Sequence, residues 1–513
     1  MKTRKYFPLV AAVLGVIIGA GTVALVGALR ERNGILRTEY GSWRKISLVL
    51  KTIDENYVDS VDRAKVMDAA LSAALKALDP HSVYMPPVQL EESESDLAAD
   101  FGGIGIQFNV PSDTAVVIEV IPGGPSEKIG ILPGDRILEV DGVNIAGVKC
   151  PQDSMVRKMR GPSGTKVRIT VGRSGERTTF DIRRAVIPNR SIEASFVGAD
   201  SVGYIRLSKF SRSTFTEFLS ASAELMASGM NSLVLDLRQN SGGYFDQSIH
   251  IANLFLEKDS TIVFTEGRTR PRDDFKADGK GFLKNIRTAV LIDEGSASSS
   301  EILAGALQDN GKAVIVGRRS FGKGLVQEPF NFTDGSGFRL TVSRFHTPSG
   351  RCIQKPYSDR YEYEVYERYG AGEMLDADSM RVEKGGIIPD VFVPVDTTKA
   401  SAFYTACYRK ATITRFAAHW ADSNRERLLE VKNFTELQRL IDSSNLEAAF
   451  LSYAAGVDGL KPKAGEWKKE KEYMMPQVRA LAGRYSRLGE RAYYQMYLPS
   501  DEVYLAALRA IGR

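Results

Sequence analysis

The sequence predicts an α/β core, a mainly parallel helix-covered sheet, with an inserted β-rich domain, an N-terminal helical segment and a C-terminal helical appendage. Three observations carry this expectation. From about residue 189, apolar strand-like runs alternate with helical patterns, which implies crossover units and parallel neighbours. Between 98 and 188, short alternating runs are punctuated by glycine and proline turns. Beyond about 396, the composition shifts to Ala, Leu, Arg and Glu with apolar residues at three-and-four spacing.

Taken in order, residues 1–30 come first. Lys2, Arg4 and Lys5 precede an uncharged stretch from Phe7 to Leu29, which Arg30 closes. A helix of that length spans roughly 35 Å, enough to cross a bilayer. The segment is read as a signal anchor, with Val26-Gly27-Ala28 as a cleavage site in the alternative reading as a signal peptide. Positive charge at the start places that end in the cytoplasm. The remainder is then expected on the periplasmic side of a bacterial inner membrane, or free in the periplasm after cleavage.

Residues 31–97 read as a helical segment, with one helix from Trp43 to Leu78 ended by Asp79-Pro80-His81-Ser82. His81 is read as a turn histidine bound to local backbone. In 98–188, strands are expected at Thr114 to Ile121, Arg136 to Val140 and Lys166 to Val171, with a helix from Gln152 to Met159. In 189–395, Val202 to Leu207 and Ser232 to Arg238 read as strands around a helix from Thr214 to Met226. In 396–513, helices are expected over Tyr404 to Trp420, Phe434 to Asp442 and Val478 to Arg491, serving packing, assembly or partner docking.

Bulk composition narrows the function classes. Hydrophobic residues are 43% and charged residues 26%, an ordinary globular balance rather than a disordered one. The net charge of +5 is small for 513 residues and no basic tract carries interleaved aromatics, so nucleic acid is not an expected partner. Cys150, Cys352 and Cys407 are odd in number and far apart, which argues against a disulfide framework. The histidines at 81, 250, 346 and 419 have no metal-ligand spacing, so neither metal nor cofactor is expected.

The chemistry concentrates at Ser298 and Lys323. Ser298 lies in Gly295-Ser296-Ala297-Ser298-Ser299-Ser300-Glu301, between the apolar strand Ala289-Val290-Leu291-Ile292 and the helical run Ile302 to Leu307. Unpaired N–H groups at such a helix start favour developing negative charge. Lys323 follows the strand Ala313 to Gly317 and sits between glycines in Phe321-Gly322-Lys323-Gly324. A lysine amine whose pKa is lowered by burial can take a serine proton near neutral pH. A hydroxyl run before a helix is more often a simple N-cap. Gly317 to Lys323 also has phosphate-loop spacing, but Gly324 replaces the magnesium-holding Ser or Thr and Leu325 to Pro329 reads as extended.

These stretches resemble the C-terminal processing (tail-specific) serine peptidases, over roughly residues 40 to 395. The resemblance implies Ser298 as nucleophile, Lys323 as base and Gln327 as the residue holding the lysine amine. Ser299 stands where the family usually has alanine, and the spacing to Lys323 favours Ser298 while leaving Ser299 and Ser300 as alternatives. Asp236-Leu237-Arg238-Gln239-Asn240-Ser241-Gly242-Gly243 matches the family's glycine turn, which implies an oxyanion hole from the N–H of Gly242 or Gly243 with that of Ser299. Gly386-Ile387-Ile388-Pro389-Asp390 matches the segment closing the family's core. Ile131 to Gly142 looks like a PDZ domain, with Phe101-Gly102-Gly103-Ile104-Gly105-Ile106 as its carboxylate-binding loop. Gly103, Ile104, Gly105 and Ile106 are then the expected contacts to a peptide's free end.

The function expected from this reading is a serine endopeptidase with a Ser/Lys dyad that recognises substrate C-termini and cleaves envelope proteins. Its expected partners are polypeptides with free C-termini and the membrane at its N-terminal segment, with self-association left open. The rival is a non-catalytic PDZ scaffold that retains a peptidase-like core.

Overall fold

The computed structural model describes residues 34–98, 100–173, 175–198, 201–357, 361–376, 384–397 and 401–512. The expected anchor, residues 1–30, lies outside the described residues. Among the described residues, no helix is long and apolar enough to cross a membrane. The described residues form two compact units, divided between Leu78 and Asp79.

In the first unit, the helix expected from Trp43 to Leu78 is two helices, Gly34–Asn56 and Arg63–Lys76. Asp62 restarts the chain as an N-cap by accepting the Lys65 N–H. Asp54 pairs with Arg63 across the break, at 2.6 Å.

The second unit is organised around a six-stranded sheet in the order Ile192–Val197, Val202–Leu207, Ser232–Asp236, Arg287–Ile292, Ala313–Gly317 and Val391–Phe392. Its first pair is antiparallel and every later pair is parallel. Strands added successively in one direction, each by a right-handed crossover, leave their helices on one face. The helices Thr214–Ala227, Phe245–Asn253 and Ser299–Asp309 share a core there with Leu207, Leu235 and Val290. The opposite face would be bare without a helix from elsewhere. Glu502–Ala510 supplies it, with Val503, Tyr504 and Ala507 packed on Tyr204, Val234, Leu291 and Val316. The last helix therefore belongs to the core, although the sequence reading set 396–513 apart as an appendage.

A second sheet of five strands carries Leu325–Asn331 and Gly337–His346, and Val83–Met85 stands at one end of its order. Residues 83–85 thus join the core rather than the helical segment to which the sequence reading gave them, and the β-rich domain is inserted between them and the main sheet. That domain orders its strands Ile106–Asn109, Ala115–Val120, Arg136–Val140, Lys166–Arg173 and Glu176–Arg183, with Ile106–Asn109 at the edge. Asp100–Gly103 pairs with Ala185–Pro188 where the chain enters and leaves. Ile104, Val117, Ile137, Met155 and Ile169 fill its core, and its helix spans Gln152–Met159.

In the C-terminal region the run expected as one helix over Tyr404 to Trp420 is split into Ala402–Arg409 and Thr412–Ser423 by Ala411, at φ 51°. The run from Val478 to Arg491 is likewise split, between Trp467–Gly483 and Gly489–Tyr497. Phe434–Asp442 forms as expected.

Candidate active site

Ser298 is the N-cap of the helix Ser299–Asp309 and has φ 55° and ψ −113°, a conformation L-residues rarely adopt. Holding it costs on the order of 1–3 kcal/mol, which the surroundings must offset. The restraint is Glu301. Its Oε2 accepts the Ser298 N–H at 2.8 Å and the Lys323 N–H at 2.9 Å, and its Oε1 accepts the Gly322 N–H at 2.7 Å and the Ser320 hydroxyl. One buried carboxylate therefore joins the backbone of the serine turn to that of the lysine loop. Burial pushes the Glu301 carboxyl up, while its hydrogen bonds from Ser320, Lys323, Gly322 and Ser298 oppose that shift.

The three consecutive hydroxyls have different fates. Ser299 Oγ donates to the Gly243 carbonyl at 3.0 Å and Ser300 Oγ to the Asn240 carbonyl at 2.8 Å. Both residues are at most 1% exposed, whereas Ser298 is partly exposed. The hydroxyls of Ser299 and Ser300 fasten the serine turn to the glycine turn, which leaves Ser298 the accessible one.

Lys323 is carried between the strands Ala313–Gly317 and Leu325–Asn331. Burial lowers its pKa below the usual lysine value, and the nearby Arg339 charge lowers it further, against the pull of Glu301 and Asp79. Among the described residues its amine has no hydrogen-bond or ion-pair partner. The phosphate-loop alternative fails on geometry. Leu325–Asn331 is a strand, so no helix start faces the loop, and Arg319 is fully buried between Glu373 and Glu364.

Gln327 lies on the strand after the lysine, and its Nε2 donates to the His81 carbonyl at 2.6 Å. No hydrogen bond joins it to Lys323 among the described residues. Gln327 instead ties the Asp79–Ser82 turn to the lysine strand. His81 donates its backbone N–H to Asp79 Oδ1 at 2.8 Å, and its Nε2 lies 2.7 Å from the Tyr361 hydroxyl. Burial first, and then the Lys323 charge, push its pKa down to about 4. So weak a base, already engaged by Tyr361, is poorly matched to proton abstraction at neutral pH.

The glycine turn closes the site. A Cβ at Gly242 would lie 2.8 Å from Ser298 Cβ and 3.0 Å from the Ser299 nitrogen, and one at Gly243 would lie 2.1 Å from the Phe210 carbonyl oxygen. Their φ angles of 98° and 145° are also ones that glycine alone adopts readily. The Gly242 N–H donates to Asn240 Oδ1 at 2.9 Å. The N–H groups of Gly243 and Ser299 have no acceptor among the described residues. Of the two glycines left open by the sequence, Gly243 has the free donor.

In the inserted domain, Gly105 has φ 76°, and a Cβ there would press within 3.2 Å of Ile187 and Pro125 side-chain carbons. The N–H groups of Ile104 and Gly105 have no acceptor among the described residues. Ile104 is buried, its carbonyl accepts the Ser126 N–H, and Gly103 pairs with Ala185. Ile106 opens the edge strand, whose outer side pairs with no other strand among the described residues.

Sequence reasoning passed over Glu301. The signal was present, since Ser298-Ser299-Ser300-Glu301 has the spacing at which an N-cap residue and the acid three places on exchange backbone contacts. No comparable pattern announces Tyr361 or Arg339, which reach the site from elsewhere in the chain.

The model for "Peptidase family S41" matches residues 201–359, that for "PDZ domain" matches 102–183, and a family of unknown function (DUF8443) matches 403–486. A probable CtpA-like serine protease of Staphylococcus haemolyticus is 32% identical over 354 residues, covering 69% of this chain and 71% of that protein. A carboxy-terminal-processing protease of Bartonella bacilliformis is 34% identical over 350 residues, covering 67% and 79%. Among solved structures, the photosystem II D1 C-terminal processing protease aligns at 26% identity with a TM-score of 0.36, covering 67% of this chain and 91% of that one.

Proposed function

This chain belongs to peptidase family S41 and is a serine protease with a PDZ domain acting on polypeptides, and we propose that Ser298 is its nucleophile and Lys323 its base. Neutral Lys323 takes the Ser298 Oγ proton as that oxygen bonds to the scissile carbonyl carbon. The oxyanion is received by the N–H groups of Gly243 and Ser299, which are held in place before reaction. The C–N bond then breaks, the proton passes from Lys323 to the leaving amine, and an acyl ester remains on Ser298. Water activated by the same amine hydrolyses that ester and restores the enzyme. No cofactor or metal enters this scheme.

The observation that carries the reading is the Glu301 carboxylate, which accepts N–H groups from both Ser298 and Lys323. The capping box accounts for the Ser298 contact alone, and the same carboxylate also fixes the Lys323 backbone. Gln327 and His81 support the lysine strand from the side.

Substrate capture is assigned to the PDZ domain. A free C-terminus lies along Ile106–Asn109 as an added strand, with its carboxylate on the N–H groups of the Gly103–Ile106 loop. Its substrates are proteins of the bacterial envelope, reached from an N-terminal membrane segment with the catalytic part on the periplasmic side. The basic start and the long uncharged stretch support that placement.

Incubating the protein with an unfolded polypeptide bearing either a free or an amidated C-terminus tests the reading. The free form is cleaved faster, and Ser298→Ala abolishes both reactions. Equal rates on the two forms would remove the tail-reading role, and cleavage surviving in Ser298→Ala would remove the assigned nucleophile.

A further inference from the structure

The C-terminal helices touch the rest of the molecule at two places that the proposed reaction uses. At one end stands Asp501, which is 5% exposed and N-caps the helix Glu502–Ala510 by accepting the Val503 N–H at 2.9 Å. Its other oxygen, Oδ2, accepts from Arg238 Nη1 at 2.7 Å. Arg238 forks onto Asp236 at 2.6 and 3.0 Å, and Asp236 is held further by the Tyr204 hydroxyl at 2.8 Å and by Arg206. Arg206 donates in turn to the Tyr494 hydroxyl of the helix Gly489–Tyr497, at 3.1 Å. Burial alone would push the Asp236 carboxyl up, but Arg238 and Arg206 outweigh it and hold it at about 2. One residue, Gln239, whose backbone and side chain both donate to Asp293, separates Arg238 from Asn240, and the Asn240 side chain fixes the Gly242 N–H and so the turn that presents Gly243. The glycine turn is therefore anchored from beneath by side chains of the last two helices.

The other end is Arg425, whose Nη1 lies 2.6 Å from Asp135 Oδ1 in the PDZ turn Leu132-Pro133-Gly134-Asp135. Asp135 is fully buried and already takes two hydrogen bonds from Arg173 within its own domain, at 2.8 and 2.6 Å. The PDZ fold thus satisfies Asp135 without Arg425, so the second cation serves the junction. Asp422 pairs with Arg136 beside it. Val116 and Ile118 bury their side chains in the core of the C-terminal helices with Phe416, Trp420 and Leu428. Their strand, Ala115–Val120, is the one that pairs with the peptide-docking edge Ile106–Asn109.

We propose that residues 401–512 form a brace, in which Asp501 positions the Gly242–Gly243 turn through Arg238 while Arg425 and Asp422 hold the PDZ domain in one orientation relative to Ser298. The catalytic meaning of both ends rests on the function proposed above, whereas the brace itself is a statement about geometry and is tested without turnover.

The full-length protein is labelled with nitroxides at Glu176→Cys in the PDZ domain and Lys258→Cys in the core, with Cys352→Ser and Cys150→Ser removing the exposed and the half-buried native thiols. Distances are measured by pulsed electron resonance. The unmodified brace gives one narrow distribution. Arg425→Glu sets a carboxylate against Asp135 and Asp422 and broadens or shifts that distribution, while circular dichroism stays unchanged because Arg173 still holds Asp135. An unchanged narrow distribution in Arg425→Glu overturns the proposal at this end.

Asp501→Asn tests the other end. The amide still caps the helix but gives up the charge on Arg238. On a short peptide its kcat falls roughly ten- to a hundred-fold with KM unchanged, the scale expected for small misplacements of catalytic groups. Asp501→Glu restores part of the loss, and Arg425→Glu keeps the short-peptide kcat of the parent. A fall in rate that tracks only the loss of folded protein overturns the positioning role of Asp501. If Ser298→Ala proved fully active, the catalytic assignment would fail while the distance measurement still decided the brace.

Discussion

The serine–lysine region and the PDZ edge are built on opposite principles. Around Ser298 and Lys323, buried polar groups are almost all committed: Glu301 takes four donors, and Ser299 and Ser300 each give a hydroxyl to a carbonyl. Uncommitted there among the described residues are the Lys323 amine and two N–H groups, beside the accessible Ser298 hydroxyl. At the PDZ edge a whole strand side has no partner among the described residues, and neither do the Ile104 and Gly105 N–H groups beside it. The contrast teaches what each task needs. Bond making needs a few unsatisfied groups held rigidly, whereas capture of a varied peptide needs a long, open main-chain template.

The largest expected effect tests the rigid side. Ser298→Ala or Lys323→Ala lowers kcat by on the order of a million-fold, because each removes half of a unit whose parts fail together. Turnover measurements on a short peptide check this, with calorimetry confirming an unchanged fold. Next comes Glu301→Gln. The amide turns one acceptor oxygen into a donor facing N–H groups, so stability falls by about 1–3 kcal/mol. Turnover falls on the order of a hundred-fold as Ser298 and Lys323 drift apart. If Glu301→Gln loses stability while the folded fraction keeps its full kcat, the carboxylate is a fold element alone.

A third prediction sharpens the open side. Amidating a substrate tail removes charge-assisted hydrogen bonds worth on the order of 1.5–3 kcal/mol, a weakening of roughly ten- to a hundred-fold. Gly105→Val has a comparable effect, since φ 76° is strained for any side chain and its Cβ meets Ile187 and Pro125. Calorimetric titration of the full-length protein with tail peptides measures both. Neither change alters kcat on short peptides, because the edge takes no part in bond making.

How much of this was legible in the sequence follows the same division. The strands Val202–Leu207 and Ala313–Gly317 and the helices Gln152–Met159 and Phe434–Asp442 were readable because each carries a complete periodic pattern between clear punctuation. The helix breaks at Ala411 and between Asn56 and Arg63 were not. Apolar spacing runs through both, and the break at Ala411 takes a left-handed conformation at an ordinary alanine. Ser298, Lys323 and Gly243 were readable as motif positions. The tie through Glu301 and the partner of Gln327 depend on residues 22 and 246 positions apart in the chain, which no local pattern encodes. The role of the last helix was hidden for a related reason: its apolar stripe says that it packs, but not that the bare face of the main sheet receives it.

Smaller effects concern pH. On the proposed dyad, activity requires the neutral Lys323 amine, so kcat rises with pH through a pKa below the usual lysine value. Arg339→Ala removes a charge that lowers this pKa and moves the rise to higher pH. A rate-against-pH series on both proteins checks the shift. Stability has its own pH dependence through His81, whose pKa falls from 6.5 to about 4 on folding. Between those values the unfolded chain binds the extra proton, so stability declines as pH falls through that window. Thermal unfolding of His81→Gln between pH 7 and 4 should show a shallower decline than the parent.

In the proposed reaction Ser298, deprotonated by Lys323, is the group that attacks. Peptide mapping by mass spectrometry, after brief exposure of the full-length protein to a serine-reactive fluorophosphonate, tests it most directly. The expected result is a single adduct on Ser298, formed at a rate that rises with pH and is lost in Lys323→Ala. An adduct on Ser299 or Ser300, or undiminished labelling of Lys323→Ala, would contradict it.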